Sequence, residues 1–520
     1  MWPASLACPA TAHPSQSIKC KAARARAAPP TGRASIAAKP SVNDRPVASP
    51  TPPPRQVTPP TAVLRICPDI LACGRLASTA PALAGRRPRD GFRMPRSIPP
   101  DALPALLKPD MTVFVQGATG EPLPLVAALK AAPEASAGVH YISCLLPGIN
   151  RTDLAQINDS ASLTGFFVAP EVAKSYAQGR FRHMPLHYSG IHAYLDRLPG
   201  TDLAIVQVAP PDLAGQCSLG PCVDFQPTML AKARCIVAEV NARLPRCPGG
   251  PTLDYSRIDY AVESDRPMLQ YVTGEIPPDL QRLGDNVAGL VQDGDTIQIG
   301  IGKVPAAILT RLNGKRALGL QGGMISDEVV DLVEAGVITG ERKSIDRGLL
   351  VCGAALGTDK VYRWVDGRTD VLIKPVSYTH DPRVVSRVDR FVSLNSVLEV
   401  DLFAQANAEM LGNRMISGTG GLIDFVRSAR MSKGGRSVLA VLSTAQGGKL
   451  SRIVPKIDAG GVVSCARADI DIVATEHGVA DLRDKSVDER AAALVAVAAP
   501  QFRDSLAEAW QRLRGRPLGH

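Results

Sequence analysis

From Met94 onward, short apolar bursts alternate with stretches that repeat apolar positions every three to four residues. "MTVFVQG" (111–117), "TDLAIVQVAPP" (201–211) and "ARCIVAEVN" (233–241) are continuous and rich in β-branched residues, so they predict strands buried on both faces rather than half-exposed ones. "EPLPLVAALKAA" predicts the helix after the first of them. "TGEIPPDLQRL" (273–283) carries two prolines, opens a new helix and marks a domain boundary. Beyond it, "DTIQIGIG", "RALGLQ", "SVLAVLS", "GGVVSCA" and "IDIVATE" predict further strands. In "SVDERAAALVAVA", Ser486 followed by Glu489 predicts a capping box at a helix start. Strands alternating with helices predict an α/β fold of mainly parallel sheets covered by helices, in two domains, 94–275 and 276–520, with the site in the cleft between them.

Charge and composition separate a leader from this body. Residues 1–93 hold 14 Lys and Arg against 3 Asp, leaving 45 basic and 46 acidic residues for the rest, so the net charge of +10 belongs to the leader. A neutral body removes the main support for nucleic-acid binding. The leader also holds 16 of the 44 prolines, which predicts disorder. Met94 reads as the start of a domain, so the leader is either an upstream reading that is not translated or an organelle-targeting segment. No apolar run approaches the roughly 18 residues needed to span a bilayer. The 11 cysteines form no CxxC pair and no cluster with histidine at metal-ligand spacing, which points to no metal and a reducing, cytoplasmic setting.

Several glycine turns are candidate chemistry. "TIQIGIGKVPAAIL" (296–309) is a strand, a glycine turn and a helix begun by Pro305, an arrangement whose amides suit phosphate, although it lacks the third glycine and the following acid of a dinucleotide site. "ISGTGGLIDFVRSARMSKGG" (416–435) places Gly418, Gly420 and Gly421 around Thr419, where consecutive N–H groups can face an oxyanion. "LSTAQGGKLSRIVP" fails as a Walker loop, because Ser443 and Leu450 stand where a glycine and a Ser or Thr belong. His380 and His477 are isolated, there is no GxSxG elbow, and both read as structural. "LGLQGGMISDEVVDL" (318–332) is a strand, a bare Gly322-Gly323 turn and a helix.

Taken together and in order, "GEPLPLVAAL", "DLAIVQVAPPDLAGQCSLG", "IVAEVNARLPR", "GIGKVPAAIL", "SDEVVDLVEAGVITG", "LNSVLEVDLFAQANAEMLG", "SGTGGLIDFVR" and "ATEHGVADLR" resemble the acetyl-CoA hydrolase/transferase family, which includes 4-hydroxybutyrate and succinyl-CoA:acetate CoA-transferases. The resemblance runs from about Met111 to Trp510. It implies two related CoA-transferase-type domains, an acyl-CoA thioester as substrate, a small carboxylate as acceptor where transfer occurs, and a homo-oligomer. It places the CoA-contacting turn at Gly300, Ile301, Gly302, Lys303 and Val304, and the loop against the thioester at Gly418, Thr419, Gly420 and Gly421.

In the transferases the turn resembles His-Thr-Glu-Met-Phe-Ser-Asp, and its Glu attacks the acyl-CoA to form an anhydride and then a glutamyl–CoA thioester. Aligning Met324, Ser326 and Asp327 puts Gly323 on that Glu. Without it CoA cannot be parked on the enzyme by the usual route. Three outcomes stay open: water or an acceptor activated by Glu328, Asp327 or Glu409; direct attack by a substrate carboxylate; or a catalytically silent CoA-ester-binding protein. Two substitutions are expected to be informative. Gly323→Glu should install a covalent CoA adduct, and a β-branched residue at Gly420 should lower turnover far more than stability.

Overall fold

A computed structural model describes residues 94–458 and 460–518; the leader expected over 1–93 lies outside the described residues. The continuous apolar runs become the strands of two sheets. The first has eight strands, all parallel, in the order Arg96–Ser97, Tyr260–Ser264, Ala233–Asn241, Thr201–Val208, Thr112–Val115, His140–Ile142, Ser162–Gly165 and Phe181–His183. Leu203 and Ile205 of the long central strand pack into one apolar cluster, while Ala204, Val206 and Val208 pack into another. Both faces are therefore covered, which is why "LAIVQV" reads as an unbroken apolar run instead of alternating.

The second sheet runs Gly319–Leu320, Thr296–Ile299, Phe391–Ser396, Arg436–Ala440, Ile472–Thr475 and Gly478–Asp481. Only its last pair is antiparallel. Helix Pro278–Ala288 starts at the expected boundary, and Ser486 and Glu489 form the expected reciprocal cap on helix Val487–Val497. The strand expected in "GGVVSCA" does not form. Gly460 lies in a turn and Val463 is turned to solvent, so two valines between a glycine pair and Ser464 have no sheet to join, and only a single bridge from Cys465 to Ala406 remains. Among the described residues no helix is long and apolar enough to cross a membrane.

The two halves belong to one compact unit and are stitched by their backbones. Val168 N–H donates to Ser417 O, Tyr188 N–H to Gly420 O, Val223 N–H to Gly353 O and Ala355 N–H to Pro221 O. The glycine-rich loop of the second half is thus fixed by the first.

Candidate active site

The bare turn is built in three steps. Strand Gly319–Leu320 ends at Gln321, whose N–H donates to Ile297 O. Gly323 O then accepts from both Gly353 and Ala354 at 3.0 Å, and a further short strand, Met324–Ile325, pairs with Ala354–Ala355 before helix Asp327–Glu334 begins. That extra strand is absent from the sequence expectation, because two residues are too few to show a period. Behind the turn, the buried Lys343 donates to Leu320 O, Gln321 Oε1 and Leu349 O, and burial lowers its pKa to about 8.

In front of Gly323 a cavity of about 190 Å³ opens between the halves. The first half contributes Leu146, Phe167, Tyr188 and Asp224; the second contributes Gln298, Gly300, Ile301, Asn395, His380, Phe425 and the loop 417–421. Apolar walls with a few convergent polar groups are the usual make-up of a small-molecule site.

The loop 418–421 has the features of an oxyanion site. None of the four amides of Gly418, Thr419, Gly420 and Gly421 has a hydrogen-bond acceptor among the described residues, and Gly421 caps the ten-residue helix Leu422–Met431. The four donors are therefore available at a helix N-terminus where negative charge is favoured. Glycine is demanded at Gly421, where a Cβ would meet His380, and at two further positions. A Cβ at Gly418 would fall 2.2 Å from Phe166 O, and Gly420 has φ +54. The second fact corrects the expectation for Gly420: a β-branched residue there strains the backbone by about 1–3 kcal/mol, so stability falls along with turnover.

The loop is held to the first half by a buried carboxylate. Asp424 accepts from Ser189 N–H at 3.0 Å and from Ser189 Oγ–H at 2.6 Å. Burial nevertheless raises its pKa to about 6. In the unfolded chain an aspartate titrates near about 3.9, so between those values the native state binds more protons and stability falls as pH rises. Asp424→Asn should flatten that pH 4–6 segment in urea-unfolding midpoints relative to the parent protein. An unchanged slope would mean that Asp424 does not titrate in this window.

His380, which the sequence leaves as structural, stands at the centre of the site. It is 5% exposed, its ring packed at a tilt against Tyr188 and Phe425, with both centroids 4.6 Å away. Nδ1 meets Thr379 Oγ at 2.9 Å, whose hydroxyl in turn reaches Pro375 O. Nε2 has no hydrogen-bond partner among the described residues. Burial pushes the imidazole pKa down to about 3, so the ring is neutral. A Cβ at Gly323 would lie 2.9 Å from its Cε1 and Nε2, and one at Gly421 would lie 2.6 Å from Cδ2 and 2.8 Å from Nε2. The imidazole fills the space in which a side chain at position 323 would have to stand.

The remaining sequence candidates divide. Gly300 and Ile301 line the cavity, while Gly302, with φ +112, faces a smaller cleft beside it; Lys303 and Val304 line neither. Glu328 borders that smaller cleft, accepting from Thr273 and Ser326, and does not reach the main cavity. Asp327 accepts from the N–H groups of Thr358 and Val361 and so fixes helix Asp359–Val365. Glu409 accepts from Ser464 Oγ, and its neighbour Ala408 is the residue at the cavity wall. None of the three acids singled out in the sequence faces the space beside Gly323. The cavity's carboxyl is Asp224, which nothing in "GPCVDF" distinguishes by pattern.

Two family models match this chain: the acetyl-CoA hydrolase/transferase N-terminal domain over residues 96–272 and the C-terminal domain over 357–510. Of proteins with assigned activities, 4-hydroxybutyrate coenzyme A transferase of Clostridium kluyveri is 37% identical over 391 residues, 75% of this chain and 91% of that protein. The crystal structure of 4-hydroxybutyrate CoA-transferase from Porphyromonas gingivalis superposes with a TM-score of 0.67 at 31% identity, covering 80% of this chain and 98% of that one. The crystal structure of RipA from Yersinia pestis does so with a TM-score of 0.74 at 27% identity, covering 81% and 97%. The fold and the site define an α/β protein of CoA-transferase type. The chain belongs to the acetyl-CoA hydrolase/transferase family.

Proposed function

We propose that the protein processes a small acyl-CoA, as a hydrolase or an acyl-CoA:carboxylate CoA-transferase, by direct attack on the thioester and without a glutamyl–CoA adduct at position 323. The observation that carries this reading is the pairing of four unengaged amides, at 418–421, with a turn whose nucleophile position is occupied by the imidazole of His380. A thioester carbonyl placed on those amides is polarised, and its developing oxyanion is stabilised. One such donor is worth about 2.7–4 kcal/mol of barrier. Attack must then come from a molecule in the cavity, because the side chain that would attack from residue 323 is missing and its space is taken.

A second reading, a catalytically silent CoA-ester-binding protein, is favoured by the same plug at His380. Incubation with acetyl-, propionyl-, butyryl- and 4-hydroxybutyryl-CoA, with and without acetate or succinate, separates the outcomes. Free CoA reports hydrolysis and a new thioester reports transfer. Tight binding with neither product would remove the enzymatic reading.

A further inference from the structure

We propose that Asp224 is the general base of a hydrolytic route in this cavity, taking a proton from the water that attacks the thioester carbonyl. This rests on the reading of the protein as an acyl-CoA-processing enzyme, and it places the catalytic carboxylate on the half of the molecule opposite the bare turn.

Four observations carry it. Asp224 is the one carboxyl among the described residues lining the cavity. Among the described residues its carboxylate has no cation and no strong donor, and the Cys222 thiol at 3.8 Å is its sole side-chain hydrogen-bond partner, so a structural ion pair does not explain its presence. Its backbone is held at φ +37, a conformation that aspartate tolerates but seldom adopts, and such positions concentrate at functional sites. Finally, it is tied to the turn. Val223 N–H donates to Gly353 O, Gly353 N–H donates to Gly323 O, and Asp224 O accepts from Val376 N–H in the short helix that leads to His380.

The electrostatics suit the role. Desolvation raises the Asp224 pKa to about 7, and the groups that face it, Tyr188, Cys144 and Cys222, are themselves neutral, pushed upward first by burial and then by the Asp224 charge. A base whose pKa sits near working pH combines a useful ionised fraction with a useful proton affinity. In the step, the carboxylate of Asp224 takes one proton from water as the oxygen bonds to the acyl carbon, and the carbonyl electrons move onto the oxygen held by the 418–421 amides. Collapse breaks the C–S bond, and the proton passes from Asp224 to the departing sulfur. The products are the free acid and CoA thiol, with Asp224 ionised again.

The test is Asp224→Asn, which keeps shape and tolerance for positive φ. Hydrolysis of the best acyl-CoA substrate is followed from pH 5 to 9, and acyl-CoA affinity is measured by calorimetry. Expected are a wild-type kcat/KM that falls below about pH 7, a loss of at least ~100-fold in the variant, as for removal of a general base, disappearance of that pH limb, and affinity within about threefold. A variant that keeps the wild-type rate and pH limb overturns the assignment of Asp224 while leaving the functional reading standing. A loss of affinity matching the loss of rate also overturns it, because Asp224 would then shape the pocket. A wild-type protein that releases no CoA but forms a new thioester with an added carboxylate overturns the hydrolytic assignment and leaves the functional reading standing; one that does neither overturns both.

Discussion

Gly323→Glu alone yields no covalent CoA adduct, whereas Gly323→Glu combined with His380→Gly yields one visible as a CoA-sized mass increment. The reason is steric. The first atom of any side chain at 323 would stand 2.9 Å from the imidazole of His380, closer than carbon atoms tolerate. That imidazole is confined, because the tilted rings of Tyr188 and Phe425 pack against it and Thr379 holds Nδ1. Overpacking of this kind costs about 1–3 kcal/mol, so the single variant should also be less stable than the parent. Removing the ring returns the space, and the two substitutions should couple: the double variant regains stability that the glutamate alone loses, as contacting sites do. The restored-transferase expectation drawn from the turn alone is thereby corrected, since it depended on an empty space that His380 fills. An adduct on the single variant would show that the ring moves freely.

Arg266→Met destabilises the protein by about 3–5 kcal/mol, the usual result of stranding a buried charge. Glu239 is fully buried at the end of a central strand of the first sheet. Its carboxylate accepts from Arg266 Nε at 2.7 Å, Arg266 Nη2 at 2.9 Å and Ser264 Oγ at 2.6 Å. Arg266 also donates to Glu121 O, so one guanidinium serves two segments of the first half. Adding Glu239→Gln to Arg266→Met removes the uncompensated charge and should recover more than half of the loss, read from urea-unfolding midpoints. A single-variant cost below about 1 kcal/mol would place the pair among ordinary exposed ion pairs.

What the sequence made legible follows from range. The strands Thr112–Val115, Thr201–Val208 and Ala233–Asn241 were readable because burial on both faces leaves an unbroken apolar run, a purely local mark. The cap at Ser486 was readable because its partner is three residues away. The glycines at 418, 420 and 421 and the bare turn at 322–323 were visible as candidates because glycine itself is the signal, and a close approach to Phe166 O and a positive φ require it at 418 and 420.

The contents of the space in front of that turn were not legible. His380 comes to rest against Gly323 and Gly421 through folding of the second half, and Asp224 arrives from the first half, held by the hydrogen bonds of Val223 N–H to Gly353 O and of Val376 N–H to Asp224 O. Neither contact has any local periodicity. The acids nearest in sequence, Asp327 and Glu328, were plausible by proximity alone, yet the helix start turns one into a cap for its neighbour and the other toward a different cleft.

The proposed chemistry thus divides between a glycine loop of free amides and an imidazole wedged against the bare turn, in the space a side chain at residue 323 would need. Intact-mass spectrometry on samples quenched within the first turnovers, after mixing with a cleavable acyl-CoA, tests that division most directly. The prediction is an unmodified protein mass at every time point while free CoA accumulates. A transient mass gain corresponding to CoA or to the acyl group, on any residue, would contradict it.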